Sequence, residues 1–379
     1  MAISDRPDVS GRPSGGLFAA MTADGYEQIV YCHDRASGLR AIIAIHDTTL
    51  GPALGGIRLR PYPSEQHALE DVLRLSRAMT YKSAMAGLDL GGGKSVIIGD
   101  ASQKSEALFR AMGRFIQSLG GRYIAATDVG TTSDDLTHVR METPYVTGMP
   151  EAWGGLGDTS LLTSLTVYLG MKAGAEAVWG SGSLAGKRIL IQGAGKVGFH
   201  LMEHLETEGV DLFISDVAGD AVARAAKRFR AAIVPPDDVY DVDCDIFSPN
   251  AMGAVLNDDT IPRLRCKLVS GGANNQLAED RHGEMLHRRG ILYTPDYVVN
   301  SGGVISAESE LLKAPRARAE GIARRVGETT RQVLALARAE GIPPNVAADQ
   351  LAEGRLERIA AIHRSYIAAD ARAHRDLLR

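Results

Sequence analysis

Apolar positions along this chain follow two rhythms, and the change comes near residue 185. In the first part, short β-branched runs (Arg40 to His46, Ser95 to Ile98) are mixed with helical stretches. Between Ser64 and Tyr81, Leu69, Val72, Leu73 and Met79 recur at helical spacing, which predicts an amphipathic helix capped by Ser64. From residue 185 the apolar runs shorten to RILIQ, DLFIS, CDIFSP, KLVSGG and ILYTP, each ending in turn-forming residues. Strands of that kind alternating with helices predict a doubly wound parallel sheet, with its ligand at the carboxyl edge. Past residue 315 the pattern is helical, broken at Gly341-Ile342-Pro343-Pro344.

Composition narrows the class. At 379 residues the chain is too long for one ordinary core and suits two domains. A net charge of -4 with 23% charged residues leaves no basic stripe, so neither nucleic acid nor a membrane surface is an expected partner. No apolar run approaches the ~20 residues of a spanning helix. The first 16 residues are polar, with Pro, Gly and Ser, lack a signal-peptide core and read as a disordered leader. Cys32, Cys244 and Cys266 are far apart and have no metal spacing, so no metal is expected. The reading is a soluble, cytoplasmic protein of a reducing compartment.

Two segments carry chemistry. In TYKSAMAGLDLGGGKSVII, Thr80 to Ile98, Lys82 and Lys94 bracket a glycine run with few acids nearby. Buried ammonium groups lose hydration, so such a pair points to a site that grips an anion and depresses an amine pKa. The second segment follows the strand Arg188 to Gln192: Gly193-Ala194-Gly195-Lys196-Val197-Gly198, a GxGxxG opening a helix with Val197, Leu201 and Leu205 on one face. A second strand, Asp211 to Ser215, then ends in Asp216, completing the context that this weak motif needs. Gly193 permits the turn, Gly195 admits a pyrophosphate to the backbone amides, and Gly198 lets helix and strand approach. The helix start offers free N–H groups to phosphate. Asp216 would take the adenosine ribose hydroxyls and repel a 2′-phosphate, and Val217 supplies no balancing cation, so the expected cofactor is NAD.

With these motifs in hand, the chain resembles the amino-acid dehydrogenase family that includes leucine, valine, phenylalanine and glutamate dehydrogenases. The resemblance rests on GPALGGIRLRPY (Gly51 to Tyr62), MTYKSAMAGLDLGGGKSVIIGD (Met79 to Asp100), RYIAATDVGTT (Arg122 to Thr132), GAGKVG, GGANNQLAEDRHG (Gly271 to Gly283) and GILYTPDYVVNSGGVI (Gly290 to Ile305). The leucine/valine branch is nearest. It implies an α/β protein with two domains across a cleft: a substrate-binding and oligomerisation domain over 17–150, and a Rossmann NAD domain over 151–344. Helices over 345–379 would return to the first domain. The implied reaction turns an L-amino acid into its 2-oxo acid, ammonia and NADH, in a homo-oligomer. By family pattern Lys82 holds the substrate α-carboxylate, Lys94 is the catalytic amine and Asp128 handles protons on the amino group. Thr163 and Asn274 would place the nicotinamide, and Asn300 lies beside the pocket, whose wall would be Leu54, Ala126, Val304 and Ala307.

The chemistry fits those residue types. Hydride transfer needs the two carbons held in near-attack geometry, and hydrating the iminium calls for a base near neutrality. Free lysine sits near ~10.4, and burial beside a second cation moves it down. Gly91, Gly92 and Gly93 would let the backbone press against substrate. Glutamate-using relatives carry lysine at the place of Leu54, so glutamate is disfavoured and an apolar side chain fits. Ala307 stands where the leucine branch tends to have valine, giving a roomier pocket; Asn250 and Ser301 also depart from the pattern. Rival readings are an aromatic amino-acid dehydrogenase and an NAD-binding protein without turnover. A hydroxy-acid dehydrogenase is weaker, since His33, His46 and His138 lack an arginine-bearing motif.

Overall fold

A computed structural model of the chain describes residues 16–362. The expected leader, apart from residue 16, and the tail from residue 363 lie outside the described residues. Five strands form the first sheet: β1 (Gln28–Asp34), β2 (Leu39–Asp47), β3 (Ala53–Arg60), β4 (Gly91–Ile98) and β5 (Tyr123–Thr127), in the order β1-β2-β4-β3-β5. β1 and β4 run antiparallel to β2, whereas β4, β3 and β5 are parallel.

β2 reads as a continuous apolar run because both faces of this sheet are covered. On one face Ile43, Ile45, Ile57 and Ile97 meet Phe109, Met112 and Ile116 of helix Glu106–Ser118. On the other, Ile42, Ala44 and Val96 meet Leu69, Val72 and Leu73 of helix Glu65–Met85. This helix is the one expected from the apolar spacing, and the Ser64 hydroxyl accepts the His67 N–H at 3.3 Å as its N-cap.

The second sheet is wholly parallel. β6 (Arg188–Gln192), β7 (Asp211–Ser215), β8 (Ala232–Ile233), β9 (Ile246–Pro249), β10 (Leu268–Val269) and β11 (Leu292–Tyr293) lie in the order β11-β10-β9-β6-β7-β8. The chain leaves β6 in one direction and returns at β9 on its other side, which makes a switch point at their carboxyl ends. The five expected runs are all strands here; β8, two exposed residues at the edge, had no apolar signal to announce it.

After β11 the chain runs back along the first sheet. Val304, Ile305 and Ala307 of helix Gly302–Leu311 share a core with Leu54, Leu88 and Ile124. Tyr81 and Met85 pack on Val298, Val333, Ala347 and Ala348, and the Tyr81 hydroxyl donates to Glu353 at 2.9 Å on helix Pro344–Ile362. Contact with the first sheet therefore begins well before residue 345. No described helix is long and apolar enough to cross a membrane.

Candidate active site

Side chains alternate across a strand, so Leu54, Gly56 and Arg58 of β3 share a face. That face, with Lys94 on β4 and Ala126 and Asp128 at the end of β5, floors a cavity of about 330 Å³. Lys82 reaches it from helix Glu65–Met85, and Asn274, Asn300, Val304 and Ala307 close it from the other half of the chain. Thr163 lines it too, its hydroxyl donating to the Thr159 carbonyl at 3.0 Å. Of the nucleotide-loop residues only Val197 touches this cavity.

Asp128 is the electrostatic centre. Its Oδ2 receives Lys94 Nζ at 3.0 Å and Arg58 Nε at 2.8 Å. Burial alone would raise the Asp128 carboxyl, but Lys94 and Arg58 hold it down at about 2. The turn that follows is closed by the Thr131 hydroxyl, which accepts the Asp128 N–H at 3.0 Å. Gly56 makes this placement possible: a methyl group there would stand 2.7 Å from Asp128 Cβ and 2.4 Å from the Thr127 carbonyl oxygen.

Lys82 donates to Asn274 Oδ1 at 2.9 Å, and Asn300 Nδ2 donates to the same oxygen at 2.9 Å. Burial lowers the Lys82 amine to about 8, opposed by Asp296 and aided by Lys94. Lys94, the other lysine of the pair, sits in the ion pair with Asp128. Asp296 itself is buried and its carboxyl is raised by that burial, although it accepts the Gln276 N–H at 2.8 Å and the Tyr297 N–H at 2.6 Å.

One sequence expectation fails here. Gly91, Gly92 and Gly93 do not line the cavity. They lie within β4, where a methyl at Gly92 would stand 2.1 Å from Thr80 Oγ1, so its smallness seats helix Glu65–Met85 on the strand, while Gly91 lies against Asp47 and Gly51 and Gly93 against the Tyr123 ring. On β3 it is Gly55 and Gly56 that reach the cavity wall, which Gly148, Gly272 and Gly303 also line. Sequence reading also passed over Arg58, Asp71 and Asp296. For Arg58 the period-2 spacing from Leu54 was a usable signal; for the acids there was none.

The departures from the family pattern are accommodated locally. Asn250 Nδ2 donates to the Ser248 carbonyl at 2.9 Å, and its Oδ1 accepts the Gly272 N–H at 2.8 Å, bracing the loop under the cavity. Ser301 is fully buried and donates to the Val298 carbonyl at 2.8 Å. Ala307 contributes only a methyl to the wall.

The nucleotide turn fits a dinucleotide. Gly193 adopts φ 111°, a backbone conformation closed to most side chains, and open space lies where a side chain at Gly195 would stand. Gly195 begins helix Lys196–Leu205 without a side-chain cap, leaving its first N–H groups for an anion. Gly198 lies against the Gly193 carbonyl, where a methyl would come within 2.0 Å. Lys196 is largely exposed and pairs with Asp158 at 3.1 Å. Asp216 follows β7 directly, and its carboxylate accepts the Ala194 N–H at 2.7 Å and the Ala218 N–H at 2.9 Å. Val217 beside it is 90% exposed.

Among the described residues, one group could be mistaken for a metal site: Asp258, Glu279 and His282. Arg281 already pairs with both acids, and His282 Nδ1 accepts the Glu279 N–H at 2.9 Å, so neither ring nitrogen of the neutral side chain is free to ligate.

Residues 26–145 match the family model described as Glu/Leu/Phe/Val dehydrogenase, dimerisation domain, and residues 214–352 match the Glutamate/Leucine/Phenylalanine/Valine dehydrogenase model. The chain is 53% identical to a leucine dehydrogenase of Geobacillus stearothermophilus, over 90% of this chain and 93% of that one. It is 49% identical to a valine dehydrogenase of Streptomyces coelicolor, over 92% and 98%. Its fold is similar to the crystal structure of L-tryptophan dehydrogenase from Nostoc punctiforme, with a TM-score of 0.80 and 42% identity, covering 92% of this chain and all of that one. The two lysines, the carboxylate paired with Lys94 and the glycine turn thus sit in a chain that matches amino-acid dehydrogenases through both halves. The chain belongs to the Glu/Leu/Phe/Val dehydrogenase family.

Proposed function

We propose that this enzyme catalyses the NAD-dependent, reversible oxidative deamination of an apolar L-amino acid of the leucine, valine or isoleucine type. The products are the 2-oxo acid, ammonia and NADH. The observation that carries this reading is the convergence of Lys82, Lys94 and Asp128 on one cavity whose wall at Leu54 is apolar.

In this reading Lys82 binds the substrate α-carboxylate, giving up its hydrogen bond to Asn274. Asp128, held ionised, faces the substrate nitrogen, pairs with its ammonium form and handles its protons. Lys94 takes a proton from the water that adds to the iminium carbon, then returns one as ammonia leaves. Leu54, Ala126, Val304 and Ala307 enclose the side chain, with Asn300 beside it. A bound nicotinamide would supply the hydride acceptor for the substrate Cα. Gly193, Gly195, Lys196, Val197 and Gly198 would hold the pyrophosphate, Asp216 the ribose, and Thr163 and Asn274 the ring. Asp216 followed by exposed Val217 favours NAD over its 2′-phosphorylated form. The dimerisation-domain match over residues 26–145 supports a homo-oligomer.

A second reading, oxidation of an aromatic L-amino acid, is favoured by the small Ala307 side chain and by the likeness to an L-tryptophan dehydrogenase. Initial rates with valine, leucine, isoleucine, phenylalanine, tryptophan and glutamate, each with NAD and NADP, decide between them. Fastest turnover of a branched aliphatic substrate with NAD is expected. No reduced cofactor from any of them at mildly alkaline pH would refute both readings.

A further inference from the structure

Both cations on Asp128 meet the same oxygen. Arg58 Nε lies 2.8 Å and Lys94 Nζ 3.0 Å from Oδ2. Among the described residues no hydrogen bond reaches Oδ1. Arg58 is itself held from behind: one of its terminal nitrogens lies 3.0 Å from Asp71 Oδ2, and the Tyr62 hydroxyl donates to that same oxygen at 2.7 Å. The arginine is only 9% exposed, so its charge depends on these two carboxylates. A row of alternating charge therefore runs Asp71, Arg58, Asp128, Lys94, from helix Glu65–Met85 through β3 to β4.

We propose that Arg58 is a positioning residue of the reaction: seated on Asp71, it fixes Asp128 against Lys94 and shares the carboxylate charge that Lys94 would otherwise hold alone. This rests on the reading of Lys94 as the base. A carboxylate serving one lysine alone would give that lysine its whole charge, whereas here the guanidinium competes for it on the same oxygen. Fork geometry matters as well, because one planar side chain spans two acids, which an ammonium cannot do equally well.

Other charges face this row and are common to every variant below. Lys82 stands across the cavity with Asp296 behind it, Tyr123 lies under Asp128 on β5, and Arg60 and Arg74 flank Tyr62 and Asp71. Two unit charges about 6 Å apart at an effective dielectric of ~20 displace a titration by about two pH units, and solvent brings this nearer one.

The test is kcat against pH for leucine and valine oxidation with NAD, in the full-length wild type, Arg58→Gln, Arg58→Lys and Asp71→Asn. Arg58→Gln removes a positive charge beside Lys94 and should move the low-pH limb of kcat upward by about one unit. Asp71→Asn keeps an acceptor for Arg58 but removes a negative charge, so its limb should move the opposite way, by roughly half as much. Arg58→Lys should keep the limb within ~0.3 units of wild type while lowering kcat at every pH. Limbs that stay put in both charge-removing variants, or move in the same direction, overturn the proposal and leave Arg58 a packing residue. Should Arg58→Gln fail to fold, Asp71→Asn decides alone: a lowered limb supports, an unmoved or raised one overturns. A wild type without turnover on any amino acid overturns both this and the parent reading, whereas an active wild type with unmoved limbs overturns this one alone.

Discussion

Replacing Gly56 by alanine isolates the placement of Asp128 from its chemistry. Gly56 has an ordinary strand backbone, so alanine meets no conformational penalty and acts through space alone. The new methyl would lie 2.7 Å from Asp128 Cβ and 2.4 Å from the Thr127 carbonyl oxygen. Carbon atoms settle at about 3.5–4.0 Å, so Asp128 must retreat by about 1 Å. The Lys94 pair, now 3.0 Å, would open to about 4 Å, beyond hydrogen-bond range. A misplacement of that size costs about 100-fold in kcat, or roughly 2.7 kcal/mol of barrier. Steady-state oxidation of leucine with NAD measures it, with circular dichroism and a thermal melt to confirm a folded enzyme. Overpacking alone should cost about 1–3 kcal/mol of stability, which leaves a folded enzyme to measure. A well-folded Gly56→Ala with kcat within threefold of wild type would show that the Asp128 position does not limit the reaction.

Lys94→Ala should nearly abolish oxidation while reduced cofactor still binds by fluorescence titration, and Lys82→Ala should act mainly through a raised substrate KM. Retained turnover in the first would remove Lys94 as the base. Leu54→Lys places an unpaired cation at a position 1% exposed, so aliphatic kcat/KM should fall by at least about tenfold while glutamate gains measurable turnover; unchanged leucine preference would take Leu54 out of the pocket. The Asp128 carboxyl, held at about 2 in the fold against about 3.9 unfolded, contributes stability that is complete above the unfolded value. That contribution, roughly 2–3 kcal/mol, is lost as pH falls from about 4 through 2. Urea midpoints across this range should therefore drop less steeply in Asp128→Asn than in wild type, and parallel curves would contradict the ionised assignment.

Local information was enough for the nucleotide half. The glycine turn, the helix behind it and the acid after β7 lie within one short stretch, and each constrains the next. The parallel strands were legible because burial on both faces leaves runs of apolar residues. β8 was not, because its two residues, Ala232 and Ile233, are exposed. The acidic partners of the first half were hidden for a different reason. Arg58 meets Asp128 seventy positions away only because β3 pairs with β5, a register that no local pattern encodes. Asp296 approaches Lys82 only after the chain has crossed the second sheet. The glycine run at 91–93 was visible but assigned to the wrong neighbour, since its proximity to Lys94 said nothing about which face packs on Thr80.

Lys94 occupies an interior strand, laddered to Ala44 of β2 on one side and flanked by β3 on the other. Its main chain is therefore held within the sheet between two neighbouring strands. Whatever adjustment a turnover cycle demands has to come from the four-carbon arm beyond Cα, or from the nucleotide-bearing half that approaches it.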